Sequence, residues 1–200
     1  MTFDREKASL DMIQAGRAFY QFGWLLGTSG NLSVRASDST FLITASGKNK
    51  GELQTDDFLL CDLRAAPAEP TIHKPSAETL VHSLLYAADP KIGAIFHVHH
   101  LDAALCSTRD EAEGETVFEG LEMIKGLDIW DRERISVPIV PNHLEIPKLA
   151  EAILGAMTNV PSVMVLRHGF YAWGQNAFEA RRHVETLAYL FSYAYRRPMS

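Results

Sequence analysis

The stretch Ala94-Ile95-Phe96-His97-Val98-His99-His100 constrains this chain most. Its apolar run reads as a buried strand. Alternation along a strand sends His97 and His99 to one face and His100 to the other. Two imidazoles side by side are either packed, hydrogen-bonded histidines at a strand end or two corners of a metal site. A third histidine in a matching setting favours the metal. In Val163-Met164-Val165-Leu166-Arg167-His168-Gly169 an apolar strand again runs into a histidine and continues through Gly169 into Phe170-Tyr171-Ala172-Trp173-Gly174. Three imidazoles with one position left open are the ligand set of a catalytic zinc, not of a closed structural one. His97, His99 and His168 are therefore the expected zinc ligands, although imidazole also suits iron, cobalt or manganese.

At 200 residues the chain is long enough for one domain with a sizeable core, and no repeat or linker divides it, so residues 1–200 are expected to form a single domain. A net charge of −6 argues against nucleic acid as a partner, so any anionic ligand must be held by local groups. The charged start Met1–Lys7 has no apolar core of a signal peptide, and no apolar run is long enough to span a membrane. Cys61 and Cys106 lie in apolar surroundings without metal or redox spacing, as free thiols of a reducing compartment do. The cytoplasm is the expected location.

Taken in order, the chain opens with an amphipathic pattern from Asp4 to about Leu26, read as a helix ending near Gly27. Gly27-Thr28-Ser29-Gly30-Asn31 and Ala45-Ser46-Gly47-Lys48 are small, polar turns flanking short strands. Such turns let backbone N–H groups approach an anion, or simply turn the chain. A third strand is expected over 57–63, and a helix from Pro75-Ser76 to Tyr86 with Glu78 in its first turn, where a carboxylate complements the helix dipole. A further helix is expected from Leu101 to Cys106, an exposed loop over 109–115, and a strand over 135–140 at an edge or ending at Pro138. Leu121–Leu127 is apolar apart from Glu122 and Lys125, so Glu122 is either a surface group or a desolvated acid–base residue. A helix from Pro147 to Met157 and a last one capped by Asn176 and Glu179 complete the pattern. His73, His82, His143 and His183 are not expected to be ligands. The alternation of helices with short strands, some joined by tight turns, predicts an α/β layered fold around a mixed sheet.

These pieces together resemble the class II aldolase/adducin family over almost the full length. Gly27-Thr28-Ser29-Gly30-Asn31-Leu32-Ser33, Thr44-Ala45-Ser46-Gly47, Lys74-Pro75-Ser76-Ala77-Glu78, His97-Val98-His99 and Arg167-His168-Gly169 match in order and spacing. The resemblance implies a three-layer α/β/α sandwich around a central mixed β-sheet. It also implies a homo-oligomer, a tetramer with sites near subunit interfaces, and a small sugar-phosphate substrate. One zinc per subunit would sit on His97, His99 and His168, with the phosphate held by Thr28, Asn31, Ser46, Gly47 and Ser76. Phe118–Leu127 and Arg167–Gly174 resemble the family's dehydratases, which implies Glu122 as the acid–base residue. The family's aldolases place their carboxylate at Glu78 and tend to have two serines before it, where this chain has Ser76-Ala77. An aldolase or epimerase using Glu78 is thus the alternative. An adducin-like interaction module would lack the histidines that are present here.

Overall fold

Apolar side chains alternate along eight strands that form one sheet, apolar on both faces, in a computed structural model describing residues 3–197. The strands are β1 Asn31–Arg35, β2 Thr40–Thr44, β3 Phe58–Asp62, β4 Ala94–Val98, β5 Glu115–Glu119, β6 Arg134–Val140, β7 Ser162–Val165 and β8 Gly169–Gly174. Their order is β3-β2-β1-β4-β8-β7-β6-β5. Only β6 and β7 pair in parallel, so the sheet is mixed. Leu32, Phe96, Val98, Met164, Phe170 and Ala172 pack on helices α1 (Arg5–Gln21), α3 (Leu101–Arg109) and α5 (Ala177–Arg196). The alternate side chains Ile43, Ile95, Val163, Tyr171 and Trp173 pack on α2 (Thr79–Ala88) and α4 (Ile146–Gly155). Two apolar faces, each covered by helices, make the three-layer α/β/α sandwich that the family resemblance implies, around the mixed sheet that the pattern predicts.

Several element boundaries differ from the sequence reading, each for a local reason. The first helix stops at Gln21, where Gly23 N–H donates to the Tyr20 carbonyl and Trp24 N–H to that of Phe19, and a separate short 3-10 turn covers Leu26–Thr28. The second helix starts at Thr79, not at Pro75, because Pro75 bridges to Ala45 as an extended residue. Glu78 therefore stands at its N-cap position and not inside its first turn. The segment holding His168 is not one strand but a hairpin: Leu166, Arg167 and His168 turn the chain, and Val165 faces Gly169. Strand β5, unremarked in the polar sequence around it, pairs with β6 and so takes the edge expected of 135–140. Pro138 sits opposite Glu115, the first residue of β5, so the missing N–H falls at the end of a ladder.

Gly169 is fixed by close approach. A Cβ there would lie 2.1 Å from the Val98 carbonyl oxygen, between the two histidine-bearing segments. Gly169→Ala is expected to force β8 from β4 and to cost about 1–3 kcal/mol, as overpacking does, read as a lowered urea midpoint. An unchanged midpoint would contradict this packing.

Candidate active site

The register of β4 sets the site. Its partners place Asn31 of β1 and Tyr171 of β8 on either side of His97, on the face covered by α2 and α4. His99 follows one residue pair further along, and the β7–β8 hairpin carries His168 to the same place. Three Nε2 atoms converge: His97–His99 3.1 Å, His97–His168 3.4 Å and His99–His168 2.9 Å. Nitrogens bound tetrahedrally at 2.0–2.1 Å to one zinc would lie about 3.3 Å apart, so this cluster has the dimensions of a metal's ligand face. Protonation agrees. The Phe170 carbonyl can only accept, so His97 Nδ1 (3.0 Å away) is the protonated nitrogen and Nε2 presents its lone pair to the cluster. Burial, then the neighbouring charge of His168, lowers the His97 pKa well below its usual value. Burial, then His97, lowers that of His99 to about 3. Both rings are neutral at pH 7, as ligation needs. The donor set fits a divalent metal.

A carboxylate completes the cluster. Glu78 Oε2 lies 3.4 Å from His97 Nε2, and Oε1 lies 3.7 Å from His168 Nε2. Its placement is enforced from below by a buried polar chain. Asn31 Nδ2 donates to Glu78 Oε2 at 2.8 Å and to Ser76 Oγ at 3.2 Å. Asn31 Oδ1 must then accept, so His82 Nε2 (2.5 Å) donates to it and His82 Nδ1 accepts from Ser33 Oγ at 2.7 Å. Tyr86 donates in turn to Ser33 at 2.8 Å. Burial drives the His82 pKa down to about 3, which keeps the ring neutral in this chain of bonds. On the other side the Tyr171 ring stacks on His97 at 4.1 Å between centroids, with its hydroxyl buried and unpartnered.

The small polar turns gather beside this cluster. Gly27, Thr28 and Gly30 all have left-handed backbone, with φ of 60°, 67° and 67°. At Gly30 any side chain would meet the His97 carbonyl oxygen at 2.5 Å, so the turn rests directly on β4. The Ala45–Pro75 bridge and the Ser46 N–H to Lys74 carbonyl bond (3.0 Å) bring Ser46 and Gly47 alongside Ser76. Ser46, Gly47 and Thr28 are exposed, and Asn31 is buried. Asn31, Ser76 and Glu78 are thus joined by direct bonds, with the two turns held at their margin.

Glu122 is not in this assembly. Its side chain is 82% exposed and pairs with Lys125 at 2.7 Å, in an open cleft also lined by Leu121, Trp130 and Arg132. Strand direction explains the separation. His97 and His168 lie toward the C-terminal ends of β4 and β7, whereas Glu122 follows β5, which runs the opposite way and ends beside the start of β6. The two sites occupy opposite ends of the sheet, with β5 four strand positions from β4, or about 19 Å at 4.7–4.9 Å per strand. Ile124 and Leu127 anchor that turn in the core, which satisfies its apolar pattern and leaves Glu122 outward.

His100, as expected, turns away and caps α3 by accepting from Ala103 N–H at 3.2 Å. His183 Nδ1 donates to the Trp173 carbonyl at 2.6 Å, far from the cluster along β8. Both cysteines are free and buried. His82 is no ligand, as expected, but its part in orienting Asn31 was not foreseen, nor was the burial of Lys50. Glu78, read from the pattern as a helix-dipole carboxylate and from the resemblance as the aldolase alternative's, stands in the cluster. Glu78 and His82 are spaced i, i+4, which is the one signal that could have linked them. Lys50, within Lys48-Asn49-Lys50, reads as a solvated charge.

A mixed α/β/α sandwich carrying three convergent imidazoles and a carboxylate defines the class. The chain belongs to the class II aldolase and adducin family, whose N-terminal domain model matches residues 10–195. Within it the chain is 41% identical over 178 residues to the methylthioribulose-1-phosphate dehydratase of Geobacillus kaustophilus, covering 87% of this chain and 84% of the relative. It is 44% identical over 174 residues to that of Pectobacterium atrosepticum, covering 84% of each. The L-fuculose-1-phosphate aldolase of Thermus thermophilus shares the fold, with a TM-score of 0.77 over 94% of each chain at 24% identity. By its kinship with the dehydratases the chain is an enzyme of the lyase class.

The buried histidines make the metal-free protein acid-labile. Unfolded, each takes up a proton near pH 6.5, whereas folded His82 and His99 do so only near pH 3 and His100 near pH 4. Unfolding therefore takes up protons between those values, and stability is lost as pH falls below about 6.5. Urea midpoints of metal-free protein should fall only slightly from pH 8 to 7, as folded Lys50 with its pKa of about 8 takes up its proton, and fall steadily from pH 6.5 to 4.5. A level midpoint down to pH 5 would contradict the burial of these rings.

Proposed function

We propose that this chain removes water from 5-methylthioribulose 1-phosphate to give 2,3-diketo-5-methylthiopentyl 1-phosphate, a step of methionine salvage, with zinc on His97, His99 and His168. The observation that carries the reading is the convergence of the three Nε2 atoms beside Glu78, in a chain whose relatives bear that dehydratase's name. The enzyme works as a single-domain protomer of a cytoplasmic homo-oligomer, a tetramer. No helix among the described residues is long and apolar enough to cross a membrane.

The substrate carries a ketone at C2 and hydroxyls at C3 and C4. A proton leaves C3, the C4 hydroxyl departs with a proton as water, and the resulting enol tautomerises to the diketone. Zinc on neutral imidazoles supplies an undiminished positive charge, a Lewis acid for the ketone oxygen. The protein's own groups do the rest. Thr28, Asn31, Ser46, Gly47 and Ser76 hold the phosphate, which fixes the reacting carbons against the cluster. Glu78, oriented by Asn31, is placed to hold a proton at the carbons beside the ketone. Glu122 is the acid–base residue that the dehydratase likeness indicates. It lies at the other end of its own sheet, so it serves the site of a second copy. Met123 and Trp130, exposed next to it, then offer apolar surface to the methylthio end. Phe118 cannot, being buried against Phe191.

A second reading, cleavage of another ketose phosphate by an aldolase, has the position of Glu78 in its favour. The product's mass separates the two. Loss of one water, abolished by chelation and restored by zinc, is the expected result; two smaller fragments would mean cleavage, and no change would sink both. Glu122→Gln should lower turnover by 10² or more with metal content unchanged. Co-assembly of Glu122→Gln with His97→Ala chains should restore activity that neither has alone. Failure of that rescue in verified mixed oligomers would remove Glu122 from the mechanism.

A further inference from the structure

We propose that Lys50 is the cation that receives the phosphate of the substrate, beyond the uncharged turn residues that cradle it. The inference rests on the reading of this site as one for a sugar phosphate. Lys50 is only 3% exposed, and its Nζ donates to the Thr28 carbonyl at 2.6 Å. An ammonium has three N–H donors, and this is the one hydrogen bond it makes among the described residues. No carboxylate among them comes within 4.0 Å of it, although Lys48, two residues earlier, pairs with Asp57 at 2.7 Å. A buried charge without a directly paired counter-charge costs free energy that a protein normally avoids. Here it persists next to two left-handed turn residues, Gly27 and Thr28, in the turn that rests on the histidine strand.

The position is built, not accidental. The Lys50 main chain is pinned against the first helix, where a Cβ on Gly16 would meet the Lys50 carbonyl oxygen at 2.8 Å. From there the side chain reaches the Thr28 turn. Its charge is felt within the cluster as well. Burial lowers the Lys50 pKa to about 8 while the Glu78 carboxylate opposes that shift, and the ammonium in turn helps hold His97 and His99 neutral. A cation so placed, with donors to spare, lacks a dianion. In this chain of net charge −6 no general field draws a phosphate in, so a local cation must supply the attraction. The competing explanation is that Lys50 only ties down the strained Thr28 turn.

Three substitutions separate charge from tie. Lys50→Gln keeps an N–H donor toward Thr28 without the charge, Lys50→Arg keeps both, and Lys50→Met keeps neither. Inorganic phosphate is titrated into each protein by calorimetry, metal-loaded and metal-free, with folding checked by circular dichroism and metal content measured. The expected result is phosphate binding to the native protein that weakens at least tenfold in both Gln and Met variants and stays within about threefold in Arg, in both metal states. With the phosphorylated substrate, the Gln variant should raise KM with kcat little changed. Native-like phosphate affinity in Lys50→Gln, or phosphate binding seen only with metal present, would overturn the proposal. So would the absence of phosphate binding by the native protein. Because the titration uses no turnover, an aldolase outcome in the product assay would leave this result standing.

Discussion

Across three neighbouring strands Asn31, His97 and Tyr171 face one another in register, and this single row carries the rest of the site. A slip of one residue in either pairing would turn His97 toward the opposite layer of helices. Two backbone contacts without room for a side chain lock the register: Gly30 on the carbonyl of His97, and Gly169 on that of Val98. With the row fixed, Asn31 bridges to Glu78, Tyr171 stacks behind His97, and the hairpin turn adds His168. The three-histidine face is therefore a consequence of sheet pairing more than of any loop.

Beneath that row the enzyme keeps a polar chain in a dry interior. Tyr86, Ser33, His82 and Asn31 pass hydrogen bonds in one direction toward Glu78, each donor matched to an acceptor. Such a chain is tolerated only because it is satisfied, and its satisfaction fixes which way the Asn31 amide points. Burial sets the protonation of the whole region by disfavouring charged imidazole at His82, His97 and His99. The same burial leaves Lys50 as a cation in need of a ligand. Structural and catalytic electrostatics here share one origin.

Much of this was legible in the chain, and the physical reasons are specific. The His97-Val98-His99 spacing carries its own geometry, because alternation on a strand is local. The layered fold and its mixed sheet follow from apolar patterning, the helical layer on each face from the family resemblance, and the Asn176–Glu179 cap from its short-range signature. What escaped depends on distant pairing. His168 seemed to lie within a continuous strand, since nothing local distinguishes a hairpin over Leu166–His168 from an extended run; the reversal shows only in the Val165–Gly169 pairing. Glu78 looked like a helix-dipole carboxylate until the Pro75 bridge moved the helix start to Thr79. Glu122 has an apolar neighbourhood in sequence, yet its neighbours bury while it faces out. Strand direction, which sequence spacing does not encode, decides that it lies at the far end of the sheet.

Everything proposed for this site turns on one metal held by the three convergent Nε2 atoms beside Glu78. Anomalous diffraction at the zinc edge from crystals grown with equimolar zinc tests it directly. A single strong peak per chain is expected, about 2.0–2.1 Å from Nε2 of His97, His99 and His168, and it should be lost in the His97→Ala protein. A peak held by other residues, or zinc retained at full occupancy without His97, would contradict it.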